Sequence, residues 1–107
     1  MRQLLDSKIL TKVDTFKGND SDWLDWKFTM LTACGLVGLE AQMTRAEGAT
    51  EAECLISSGG MAEENEVKSI ALYYFLCSCV RGKALACVRS VGCGEGLAAW
   101  RALAQGT

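Results

Sequence analysis

Residues 61–82 read MAEENEVKSIALYYFLCSCVRG, and the fold turns on whether this segment is helix or strand. Its centre, Leu72-Tyr73-Tyr74-Phe75-Leu76, has the aromatic content of a strand. Length and end signals decide for a helix, because strands seldom run beyond about eight residues. Glu63, Glu64 and Glu66 gather at the N-terminal end, where the helix dipole favours negative charge. Arg81 and Gly82 supply a cation and a glycine at the other end, so the helix is expected to stop there. Glu64 and Lys68 form a favourable pair four residues apart. The apolar run from Ile70 to Val80 is broken only by Ser78. It falls well short of the roughly 20 residues a membrane span requires, which makes it a buried central helix.

Upstream, Phe16-Lys17-Gly18-Asn19-Asp20-Ser21-Asp22-Trp23-Leu24-Asp25-Trp26-Lys27-Phe28 joins an aromatic and a glycine turn to a helix start. Asn19, Asp20 and Ser21 all suit an N-cap, and Asp22 adds charge in the first turn, so a helix is expected from about Ser21. Trp23 and Trp26, three residues apart, share one face. Asp22, Asp25, Thr29 and Thr32 mark the polar face. The rest, including Leu24, Phe28, Met30, Leu31 and Cys34, is a wide apolar stripe, expected to pack on more than one side. Gly35 is a natural stop. A shorter helix is expected over 37–45, then a Gly- and Ser-rich loop over 47–60 with room for one helical turn. Beyond the central helix, residues 83–91 read as a short helix with Ala84, Leu85 and Val88 inward. Gly92, Gly94 and Gly96 break it, and Leu97, Trp100, Leu103 and Ala104 mark a last helix. Residues 1–15 read as an arm and 16–107 as one all-α domain, an irregular, orthogonal bundle of about five helices.

Composition narrows the chemistry. The chain has 107 residues, enough for one domain, and half are hydrophobic, as in a globular protein. Its formal net charge of −2 lacks the basic balance of a protein that binds nucleic acid over its whole surface. No histidine is present, so the commonest general base and metal ligand is missing. Six cysteines, Cys34, Cys54, Cys77, Cys79, Cys87 and Cys93, include no Cys-x2-Cys pair. They read as reduced thiols rather than a disulfide frame or a zinc site. The glycine run before the last helix lacks the spacing of a dinucleotide fingerprint, and Gly82-Lys83 is no P-loop. A plain flexible turn is favoured at both places. No catalytic, metal or cofactor residue and no small-molecule substrate is expected. Arg81, Lys83, Arg89 and Arg101 gather in the last third as a candidate basic patch for RNA phosphates.

Four stretches carry a family resemblance. Phe16-x-Gly18 followed by Trp23-x-x-Trp26-Lys27-Phe28 resembles the start of the Gag capsid region of copia-type LTR retrotransposons, of the kind abundant in dinoflagellate genomes. Ala71-Leu72-Tyr73-Tyr74-Phe75-Leu76, Val80-Arg81-Gly82-Lys83-Ala84 and Gly94-Glu95-Gly96-Leu97-Ala98-Ala99-Trp100-Arg101-Ala102-Leu103 look like successive Gag helices, in the family's order. The resemblance spans roughly residues 5–105. It implies a non-enzymatic capsid-like helical domain, incomplete at its C-terminal end, that self-associates in the cytoplasm into particles packaging the element's RNA. Under it Phe16, Gly18, Trp23, Trp26, Gly82, Ala84 and Trp100 are structural. The chain lacks the family's Cys-x2-Cys-x4-His-x4-Cys zinc knuckle.

Overall fold

A computed structural model describes residues 15–36 and 38–105. The N-terminal arm, apart from Thr15, and the closing Gly106-Thr107 lie outside the described residues. The chain is all-α. Among the described residues six α-helices follow one another: α1 (Asp20–Gly35), α2 (Glu40–Glu47), α3 (Glu51–Cys54), α4 (Glu63–Cys79), α5 (Gly82–Ser90) and α6 (Gly96–Ala104). A 3-10 turn, Ile56–Ser58, links α3 to α4. The expected loop over 47–60 thus holds a helix and a 3-10 turn. Thr50 and Glu53 account for the helix by closing a reciprocal capping box.

The helix starts follow charge more than side-chain caps. α1 begins one residue before Ser21, with extended Asn19 at the cap and Asp20 and Asp22 in the first turn. Asn19 makes no cap bond, its amide donating instead to Asp22 Oδ2 at 3.3 Å. α4 starts at Glu63 and keeps its three glutamates in the first turn. It ends at Cys79, short of the expected Gly82, because Val80 is extended and its backbone runs beside Phe16. Gly82 takes φ +60, a conformation costly for other residues, and opens α5 instead.

α6 is the hub, packing against α2, α3, α4 and α5. Trp100 and Ala99 at its centre are completely buried. Around them lie Met30, Leu39, Met43, Leu72, Phe75, Leu76 and Val88, forming one continuous core. Trp26, Met30, Ala33 and Cys34 of α1 join it. The expectation that α1 packs on more than one side does not hold. Leu24 and Phe28 are both 73% exposed, because no element among the described residues covers that flank.

Candidate functional site

The residues that carry the family resemblance meet in one place. The Phe16 N–H donates to the Cys79 carbonyl (2.8 Å), and the Arg81 N–H donates to the Phe16 carbonyl (2.9 Å). This two-bond parallel bridge fastens the entry to α1 onto the α4–α5 junction. Gly18 completes the seat at φ +103. A Cβ there would lie 3.0 Å from the Lys83 Cβ and 3.1 Å from the Ala84 backbone nitrogen, a tight approach that adds to the positive φ in favouring glycine. Lys17, Gly18, Gly82, Lys83 and Ala84 are therefore neighbours across the fold. The Phe16 ring stacks on Trp26 at a centroid distance of 4.8 Å and 16°. Trp23 and Trp26 each stand within 6.0 Å of Trp100. Such tilted aromatic pairs are favourable beyond their buried area.

Glu47, the last residue of α2, ties this cluster to its surroundings. One carboxylate oxygen accepts from Lys27 Nζ (2.7 Å) and the other from Trp100 Nε1 (3.0 Å). α1, α2 and α6 are thereby joined by one side chain. Glu95 does the same on the far side of α6, accepting from the N–H groups of Ile56 (2.7 Å) and Ser57 (3.3 Å) to cap the 3-10 turn. Gly96 is a packing glycine rather than the flexible turn the sequence suggests. A Cβ on it would lie 2.5 Å from the Tyr73 nitrogen and 2.9 Å from the Leu72 Cβ, with the Ser69 carbonyl closer still. The Leu97 N–H donates to the Oγ of fully buried Ser69 (3.1 Å). Glu47, Glu95, Ser69 and Gly96 escape sequence reasoning because each acts on a residue far along the chain.

The four cations of the expected basic patch do not share one role. Arg101 donates through Nε to the Ala49 carbonyl (2.7 Å) at the α2–α3 turn. Arg81 folds back on the Cys77 and Val80 carbonyls (3.0 and 2.6 Å). Lys83 and Arg89 lie at opposite ends of α5, both exposed. Two of the three guanidiniums thus hold the chain's own backbone.

None of the six cysteines is in a disulfide. Burial pushes Cys34 up to about 12, with nearby Cys79 adding to the effect. Burial likewise raises Cys79 to about 11, against the opposing charge of Arg81. Burial also raises Cys54, whose Sγ lies 3.7 Å from the Ala46 carbonyl. These three are protonated at neutral pH, which suits packing and not attack. Cys93 is exposed, its sulfur 3.4 Å from the Tyr74 hydroxyl. That contact is the main cause raising the Tyr74 phenol. Among the described residues no three His, Cys, Asp or Glu side chains come together as a metal group. No helix there is long and apolar enough to cross a membrane.

A cavity of about 620 Å3 opens between α2, α3, α4 and α6, lined by Ala46, Cys54, Met61, Leu97, Gln42 and Asn65 among others. Gln42 Nε2 lies 3.5 Å from Asn65 Oδ1, at the limit of a hydrogen bond, and Gln42 Oε1 has no hydrogen-bond partner among the described residues. Among the described residues the only thiol in this wall is Cys54, whose pKa burial raises.

Two apolar stripes remain uncovered. Leu24, Phe28 and half-buried Leu31 run along α1. Val67, Ile70 and Tyr74, the last 55% exposed, run along α4. Both lie away from their helix's buried face, which is Trp26, Met30 and Cys34 on α1 and Leu72, Leu76 and Cys79 on α4.

Comparison with protein-family models, with curated proteins and with solved structures finds no match to this chain.

Proposed function

We propose that the chain is a non-enzymatic assembly domain of the Gag type, from a copia-type LTR retrotransposon. It works in the cytoplasm by burying apolar helix faces against copies of itself, building particle-like assemblies. The observation that carries this reading is the pair of uncovered stripes on α1 and α4, whose most exposed members are Leu24 and Phe28. Contiguous exposed apolar surface marks an interaction face. The convergence of Phe16, Gly18, Gly82, Ala84 and the three tryptophans lends support, since residues scattered over the family's motifs serve one structural unit.

The test is size-exclusion chromatography with light scattering on reduced protein across a concentration series. Dimers or larger species that grow with concentration are expected. A compact monomer at every concentration would count against assembly by this chain.

A further inference from the structure

We infer that the contact between copies joins unlike faces, the α1 stripe of one copy lying antiparallel along the α4 stripe of the next. This rests on the assembly reading above, and three observations select it.

The first is spacing. Leu24, Phe28 and Leu31 follow at intervals of four and three, and Tyr74, Ile70 and Val67, read in reverse, do the same. Antiparallel helices would therefore set Leu24 opposite Tyr74, Phe28 opposite Ile70 and Leu31 opposite Val67. Ridges on one helix would meet matching positions on the other.

The second is charge. Asp20, Asp22 and Asp25 stand at the N-terminal end of α1, and Arg81 and Lys83 just past the C-terminal end of α4. The antiparallel alignment brings these acids to these cations. A parallel one would set Asp20 and Asp22 against Glu63 and Glu64. Pairing α1 with α1 gives its acids no cation, because the last turn of α1 holds none.

The third is coverage. Pairing α4 with α4 also matches charge, but it leaves bare the more exposed stripe, that of Leu24 and Phe28. The unlike pairing covers both. Because each copy then keeps one free face of either kind, the contact propagates from copy to copy. Three side chains a side are few beside a standard interface of roughly 800 Å2 per partner, so the contact is a weak one repeated many times.

The test uses two double variants. Leu24→Glu with Phe28→Glu blocks the α1 face, and Val67→Glu with Ile70→Glu blocks the α4 face. Folding is checked by circular dichroism, and Phe28→Ser and Val67→Ser serve as milder replacements if either double variant unfolds. Light scattering on the wild type, each variant and their equimolar mixture gives the answer. Self-association of each variant alone should weaken roughly tenfold or more. The mixture should recover a heterodimer, since one variant retains the α4 face and the other the α1 face.

Either variant associating alone as well as the wild type would overturn the unlike-face contact and leave the assembly reading standing. So would a monomeric mixture under conditions where the wild type assembles. A wild type that stays monomeric throughout overturns both.

Discussion

Gly96→Ala isolates the closest helix approach in the molecule. Gly96 is the first residue of α6, and its backbone is not left-handed, so alanine meets no conformational objection there. The objection is steric. The added Cβ would lie 2.5 Å from the Tyr73 nitrogen and 2.9 Å from the Leu72 Cβ, distances that a relaxed core does not contain. α6 must withdraw from α4. Forcing extra volume into a packed core costs about 1–3 kcal/mol. Withdrawal also stretches the 3.1 Å bond from the Leu97 N–H to Ser69, stranding a fully buried hydroxyl. A stranded polar group adds a further cost of about 1–3 kcal/mol. A loss near 3 kcal/mol should lower Tm by about 12–24 °C in a domain of this size. The assay is urea unfolding followed by circular dichroism, with Gly59→Ala as control. Gly59 has φ +83 but open space around it, so its alanine variant carries only the left-handed strain of about 1–2 kcal/mol. If Gly96→Ala is no more damaging than Gly59→Ala, the α4–α6 contact is looser than described and the reasoning fails.

Removing the Glu47 carboxylate with Glu47→Ala should cost about 1–3 kcal/mol, because it strands the N–H of fully buried Trp100. Lys27→Ala breaks only the partly exposed ion pair and should cost under about 1 kcal/mol; parallel urea titrations of the two check the order. Trp26→Ala should lose about 3–5 kcal/mol and the partly buried Trp23→Ala less, read as the difference in their unfolding midpoints. Cys34 and Cys79 ionise in the folded chain at about 12 and about 11, above their reference value of 9.0. Between pH 9 and 11 the unfolded chain therefore binds fewer protons than the folded one, and stability must fall as pH rises. The limiting slope is about 1.4 kcal/mol per pH unit for each thiol. Stability that stays flat from pH 8 to 11, with Cys34→Ala and Cys79→Ala as references, would contradict that burial. A thiol reagent at neutral pH should label Cys93 at once and reach Cys34 and Cys79 only on unfolding, as mass spectrometry of the labelled peptides would reveal.

Helix against strand was legible in residues 61–82 because end charges and length agree, and both report on the local backbone. The helix boundary was less legible. Gly82 looks like a helix stop, yet Val80 leaves the helix first, drawn into pairing with Phe16, a partner far away in sequence. Trp23, Trp26 and Trp100 were readable as structural residues, but nothing local signals that they share one cluster. The separate roles of the basic residues were hidden for a related reason. Nearness along the chain says nothing about Ala49, whose carbonyl takes Arg101. The apolar width of α1 was read correctly as composition. Its inference of burial on several sides failed, since a stripe can equally face outward.

The aromatic cluster also fixes an order of events. Trp23 and Trp26 leave the ribosome well before Cys79 and Val80, and longer still before Trp100. Until then the seat for Phe16 and the roof over both indoles do not exist. A nascent chain therefore carries its stickiest surface unshielded over a long stretch of translation, and protection comes only when α6 emerges. Chaperone dependence would fall on the time between those two points, and a ribosome stalled short of residue 100 would display the bare indoles.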